Sequence, residues 1–235
     1  MYNTAEKIPR KGGDRGNEPM KYDAVLFDLD GTVLDTVEDI ADSLNRALEN
    51  HGFARISTAQ AESFLGNGTR RLVELALPED CPEDVKEEVI EEYRGLYDRF
   101  CHEKTRPYRG MVELLKALKA AVVKTAIVSN KPDSMVQTLA TVYYPGVPDV
   151  VLGERDGLAR KPAPDMVQFA LEAIGAEASR SIYVGDTEVD ILTARNAGMG
   201  CISVPWGFRS REQLEKAGAN PIAGTVEELA RYLGL

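Results

Sequence analysis

The sequence predicts an α/β protein: a parallel sheet with helices on both faces, interrupted by an inserted all-helical block. Three observations carry that prediction. A strand-length apolar run, Tyr22-Asp-Ala-Val-Leu-Phe27, stops abruptly at Asp28-Leu-Asp-Gly-Thr32, the pattern of a buried parallel strand with turn punctuation. Residues 57–104 then show helical patterning only, broken by Gly66-Asn-Gly68, Pro78 and Pro82. After Pro107, strand and helix patterns alternate, which is the sequence form of a Rossmann-like open sheet.

Taken in order, residues 1–20 are polar, charged and aperiodic and are expected to form a flexible leader, with Met20 an alternative start. Thr36 and Asp39 form a capping-box-like pair, after which Val37, Ile40, Ala41, Leu44 and Leu48 recur at helical spacing up to Gly52. The last helix before residue 104 is expected to present Val85, Val89, Tyr93, Leu96 and Phe100 on one face. Its eight acids and four bases over 82–104 read as a solvated surface. Strands are expected at 124–129, 149–152, 181–185 and 201–205. Helices are expected at 112–120, 132–142, 164–174, 187–197, 210–217 and 225–233. The division that follows is an α/β core of 21–35 and 108–235, with 36–107 as a helical cap.

Composition excludes several classes of function. The 235 residues carry 28 basic and 38 acidic side chains, a net charge of −10, with no basic stripe. A nucleic-acid partner is therefore not expected. No apolar run reaches the roughly 18 residues of a membrane span, so no membrane partner is expected. Three dispersed cysteines, Cys81, Cys101 and Cys201, form no CxxC pair, which suggests a reducing, cytoplasmic setting. Composition sets no oligomeric state.

Open parallel sheets bind ligands at the carboxyl ends of their strands, so the polar residues that end each expected strand form one candidate site. Asp28 and Asp30, two apart on extended chain, face one crevice; Gly31 permits a sharp turn, and Thr32 and Thr36 add hydroxyls. Ser129-Asn130-Lys131 ends the central strand. Asp186 and Asp190 enter the helix after the 181–185 strand, and Lys161 lies in Arg160-Lys-Pro-Ala-Pro164. Clustered carboxylates raise one another's pKa, a conflict that a hard divalent ion bound with a phosphate resolves. Ser129 and Lys161 complement phosphoryl oxygens. His51, His102 and Cys201 are expected to be structural or surface residues, Cys201 in the core.

These segments, Asp28-Leu-Asp-Gly-Thr-Val-Leu-Asp-Thr36, Ser129-Asn-Lys131, Lys161-Pro-Ala-Pro164 and Gly185-Asp-Thr-Glu-Val-Asp190, resemble in type and order the four motifs of the haloacid-dehalogenase-type phosphohydrolases. Leu65-Gly-Asn-Gly-Thr-Arg70, Gly153-Glu-Arg-Asp-Gly157 and Val204-Pro-Trp-Gly-Phe-Arg209 are similar to segments of a helically capped subgroup that includes phosphoglycolate phosphatases. The resemblance implies Mg²⁺-dependent hydrolysis of a small phosphate ester, 2-phosphoglycolate being the best single expectation, with other sugar phosphates or pyrophosphate as alternatives. Asp28 would be the nucleophile and Asp30 the acid–base. Ser129 and Lys161 would hold the phosphoryl group. Asp28, Asp30 and Asp186 would ligate Mg²⁺, with Asp190 behind them. Thr32, Asn130 and Gly68 would contact substrate, and Arg70 would read a substrate carboxylate. Related β-phosphoglucomutases carry a His where this chain has Ile40, which makes an isomerase the weaker alternative.

Overall fold

The computed structural model describes residues 20–235. Five parallel strands make the central sheet, β1 (Ala24–Phe27), β4 (Lys124–Pro132), β5 (Val150–Glu154), β6 (Ser181–Gly185) and β7 (Gly200–Ser203), in spatial order β5-β4-β1-β6-β7. β1 therefore lies at the point where the strand order reverses, the place where open sheets leave a crevice. Its register brings Phe27 beside Ile127 on one side and Val184 on the other.

Strand alternation divides the core in two. Val25, Phe27, Ile127 and Val184 face one apolar cluster, while Ala24, Leu26, Ala126 and Tyr183 face the other. All eight are completely buried, and each large apolar side chain so placed contributes roughly 1.5–3 kcal/mol by burial. The first cluster receives α5 (Met111–Ala120), α6 (Asp133–Tyr143) and α10 (Val226–Leu233); the second receives α7 (Asp165–Ile174) and Ala194 of α8 (Glu188–Asn196). A short helix, α9 (Arg211–Lys216), buries Leu214 against Ile191 and Ile222. The sheet is parallel and covered on both faces, as the strand–helix alternation predicts.

Between β1 and α5 the chain forms α1 (Val37–Asn50), α2 (Thr58–Phe64), α3 (Gly68–Ala76) and α4 (Glu83–Phe100). The segments leading into and out of this block pair as a two-residue antiparallel ladder, β2 (Leu34–Asp35) with β3 (Arg106–Pro107), which the sequence pattern does not announce. Ile40, Leu44 and Leu48 of α1 pack with Val89, Ile90, Tyr93 and Tyr97 of α4, continuous with the first sheet cluster.

Two local expectations change. Thr36 precedes α1, but its hydroxyl donates to Asp30 Oδ1 at 2.7 Å and makes no cap bond. Asp39 accepts instead from the backbone N–H groups of Lys104 and Thr105 at 2.8–3.0 Å, so the pair ties the block's entry to its exit. The fully buried stripe of α4 is Val89, Ile90, Tyr93 and Tyr97, with Val85 and Leu96 of the expected face half-buried against the same cluster. Phe100 lies half-buried under the Arg46 guanidinium, 4.5 Å from the ring centre. The leader expectation falls on residues 1–19, outside the described residues; Met20, its last residue, packs against the first core cluster.

Candidate active site

The carboxyl edge of the sheet gathers Asp28, Asp30, Ser129, Lys161, Asp186 and Asp190 into one cluster. Asp28 continues β1 by one residue, its N–H donating to the Val184 carbonyl at 2.9 Å. The chain then turns through Gly31 at φ +81°, where a Cβ would lie 2.3 Å from Asp186 Oδ2. Gly207 closes over the same place, and a Cβ there would lie 2.2 Å from the Gly31 carbonyl oxygen. Gly207 demands glycine because the Gly31 backbone occupies the space, and Gly31 because its φ is left-handed and the Asp186 carboxylate there is held by two hydrogen bonds.

Each carboxylate is held differently. Asp186 is fully buried, accepting from Thr32 Oγ1 at 2.8 Å and the Phe208 N–H at 2.8 Å. Asp190 accepts from Lys161 Nζ on Oδ1 at 2.8 Å and from the Thr187 N–H and hydroxyl on Oδ2 at 3.0 and 2.7 Å. Asp28 Oδ1 lies 2.9 Å from Lys161 Nζ without the alignment of a hydrogen bond, so this buried oxygen accepts none.

The charges explain one another. Burial raises the Asp28 carboxyl most; Lys161 opposes that while Asp190 and Asp30 add to it, and the group is pushed up to about 7. Burial, then Asp190 and Asp28, push Asp186 well above the usual carboxylate range. Burial works against a charged Lys161, but Asp190 and Asp28 outweigh it and hold the ammonium well above its ordinary value. One lysine thus fails to neutralise three neighbouring acids. Oxygens of Asp28, Asp186 and Asp190 all lie within 4.8 Å of one another. An oxygen-only donor set with an unpartnered buried oxygen suits a hard divalent cation. Asp186 accepts only two neutral donors, whereas Asp190 accepts three and is ion-paired with Lys161, which suits Asp190 to a place behind the ligands.

A cavity of about 60 Å³ adjoins these acids, room for about four or five water-sized spheres. Asp28, Asp30, Ser129, Lys131 and Lys161 line its sheet side, and Ile40, Leu65, Gly68, Leu72 and Tyr93 its helical side. The Leu65–Gly68 loop is docked onto the sheet edge: Arg209 Nη2 donates to the Leu65 carbonyl at 3.1 Å and Asn130 Nδ2 to the Gly66 carbonyl at 3.2 Å.

Three expected contacts are redirected. Arg70 does not reach the cavity. Its guanidinium pairs with Glu83 at 3.1 Å, with Glu87, and with Glu74 at 4.0 Å on the outer face of α3 and α4; the acidic surface of α4 competes for it locally. Thr32 is fully buried and off the cavity wall, its hydroxyl spent on Asp186. Asn130 does line the wall, but its amide clasps the Lys161 backbone, accepting from N at 2.8 Å and donating to O at 3.0 Å.

The converse case is Lys131, which the sequence reading left without a role. Its Nζ lies 2.5 Å from Asp30 Oδ1 and 2.9 Å from the Tyr97 oxygen, on the cavity wall. Strand alternation offered the signal, since Lys131 shares a face with Ser129; Tyr97 had no such local sign. His51 also gains partners absent from its sequence context, Glu92 at 2.7 Å and Glu88 at 3.9 Å, joining α1 to α4. His102 is exposed, and Cys201 is only partly buried beside the second cluster.

The family model described as haloacid dehalogenase-like hydrolase matches residues 25–204. A phosphoglycolate phosphatase of Xanthomonas campestris pv. campestris is 34% identical over 187 residues, 79% of this chain and 84% of that protein. One from Aquifex aeolicus is 32% identical over 78% and 85%. The crystal structure of a proposed phosphoglycolate phosphatase from Lactobacillus delbrueckii subsp. bulgaricus superposes with a TM-score of 0.87 at 38% identity, covering 92% of this chain and all of that one.

Proposed function

The chain belongs to the haloacid dehalogenase-like hydrolases and is a phosphoglycolate phosphatase-like enzyme, and on that premise we propose that it is a Mg²⁺-dependent phosphatase of small phosphate esters, 2-phosphoglycolate foremost. The observation that carries this reading is Asp28: a buried carboxylate on the cavity wall whose Oδ1 has no hydrogen-bond donor, with Lys161 beside it and Asp30 across the turn. In the proposed reaction Asp28 attacks phosphorus and forms an aspartyl-phosphate. Asp30 gives a proton to the leaving alcohol and later takes one from the attacking water. Lys161 and Ser129 hold the phosphoryl oxygens in place. Asp28, Asp186 and the Asp30 backbone carbonyl would hold the Mg²⁺, with Asp190 bracing Lys161 behind them. The ion supplies charge neutralisation to the acids and the transferring group.

Residues 36–107 are proposed as the cap, docked through Leu65 and Gly66, which excludes water during phosphoryl transfer. Ile40 on the cavity wall offers no proton acceptor, which favours hydrolysis over transfer back to a sugar. A cytoplasmic location accords with three free cysteines. The test is phosphate release from a panel of esters with Mg²⁺, after chelation, and in Asp28→Asn. Activity should need both the metal and Asp28, because uncatalysed monoester hydrolysis is too slow for another group to substitute. Undiminished turnover in the chelated enzyme or in folded Asp28→Asn would overturn the reading.

A further inference from the structure

Resting on the phosphatase reading, we propose that Lys131, anchored by Tyr97, recognises a carboxylate on the substrate, so that the enzyme selects short phosphorylated hydroxy acids. The cavity wall carries two cations, Lys131 and Lys161. Lys161 donates to Asp190 and to the Tyr183 hydroxyl at 3.1 Å, and its third N–H, beside Asp28, is taken by the phosphoryl group in the proposed reaction. Lys131 has two partners among the described residues, Asp30 and Tyr97. An ammonium has three N–H donors, so one remains for a ligand.

The surroundings decide what that ligand is. The helical side of the cavity is largely apolar, and a second anionic group buried there would be costly without a cation. Lys131 is nine-tenths buried, and its Nζ lies 4.5 Å from the centre of the Tyr97 ring as well as bonded to its oxygen. One spare N–H on one ammonium suits a single negative charge better than a second phosphate. Tyr97 stands on α4 and Asp30 follows β1, so the reader is complete only when the helical block is seated on the sheet.

The test compares 2-phosphoglycolate with ethyl phosphate, of similar size but lacking the carboxylate, and with pyrophosphate, on wild type, Lys131→Met and Tyr97→Phe. Wild type should prefer phosphoglycolate. Lys131→Met should lower kcat/KM for phosphoglycolate by about ten- to hundredfold, as expected for a lost charged hydrogen bond. Ethyl phosphate should also lose turnover, because Lys131 holds the Asp30 carboxylate, but by at least about tenfold less than phosphoglycolate, so the ratio of kcat/KM on the two esters is the readout. Tyr97→Phe, which removes only a hydroxyl, should cause a smaller loss with the same selectivity. An equal loss on both esters in Lys131→Met would assign Lys131 to Asp30 alone and overturn the proposal. So would a selective loss on pyrophosphate. If Lys131→Met does not fold, an unchanged substrate ratio in Tyr97→Phe overturns it equally. No turnover of any ester by wild type with Mg²⁺ would instead defeat the phosphatase reading itself.

Discussion

Lys161 and Arg70 are both cations surrounded by carboxylates, yet the two regions they occupy are physically opposite. Lys161 has a side chain 2% exposed and sits between Asp28 and Asp190; Arg70, 42% exposed, reaches three glutamates on the surface of α3 and α4. At the surface, water screens each pair, and such contacts are worth about 0–1 kcal/mol. At the sheet edge the groups are shielded from bulk water, so each charge is tolerable only while its partner is present. The lesson is that a count of ion pairs separates nothing, whereas burial separates a site from a solvated face.

The largest effect expected from this contrast is at Lys161. Lys161→Met should abolish phosphatase activity and lower stability by about 3–5 kcal/mol, because Asp28 and Asp190 are left buried without a counter-charge. Urea unfolding at neutral pH measures the second effect, and a midpoint equal to wild type would erase the distinction between the two regions.

The next effect concerns pH. Asp28, at about 7, and Asp186 lie above their unfolded values near 4. Groups shifted upward contribute stability that is fully present below about pH 4 and is lost as pH rises through the folded-state value, which is about 7 for Asp28. Their contribution should therefore lower the Tm of chelated protein between about pH 5 and 7.5. Mg²⁺, which needs the ionised carboxylates, should raise Tm more at the higher pH. Differential scanning calorimetry with and without the ion would show this. A Mg²⁺ increment that shrinks as pH rises would show that the acids do not share the ion.

The smallest effect is expected at Arg70. Arg70→Ala should change stability by no more than about 1 kcal/mol and leave kcat/KM for every ester near the wild-type value. A loss confined to phosphoglycolate would return Arg70 to the site and break the comparison from the other side.

The same contrast explains what was legible in the sequence. Asp28, Asp30, Ser129, Asp186 and Asp190 could be named because each ends or follows an apolar run that had to be a buried strand or its exit, and strand ends of a parallel sheet share one edge; Lys161 could be named from the proline-flanked segment Lys161-Pro-Ala-Pro164 that precedes a helix. The fold class was legible for the same reason: Ala24–Phe27 and Ser181–Gly185 have no polar face to present, so both sides had to be covered.

What tertiary structure alone decided is which partner each polar group takes. Thr36 turned from its own helix to Asp30, Asn130 to the Lys161 backbone 31 residues away, and Lys131 to Asp30 across 101 residues. Periodicity says which face of its own element a side chain occupies, because that follows from backbone geometry. It says nothing about what packs opposite that face. Arg70 stands at the expected start of its helix, but the seating of α4 put Glu83 and Glu87 within its reach and brought Tyr97 to Lys131 at the end of β4.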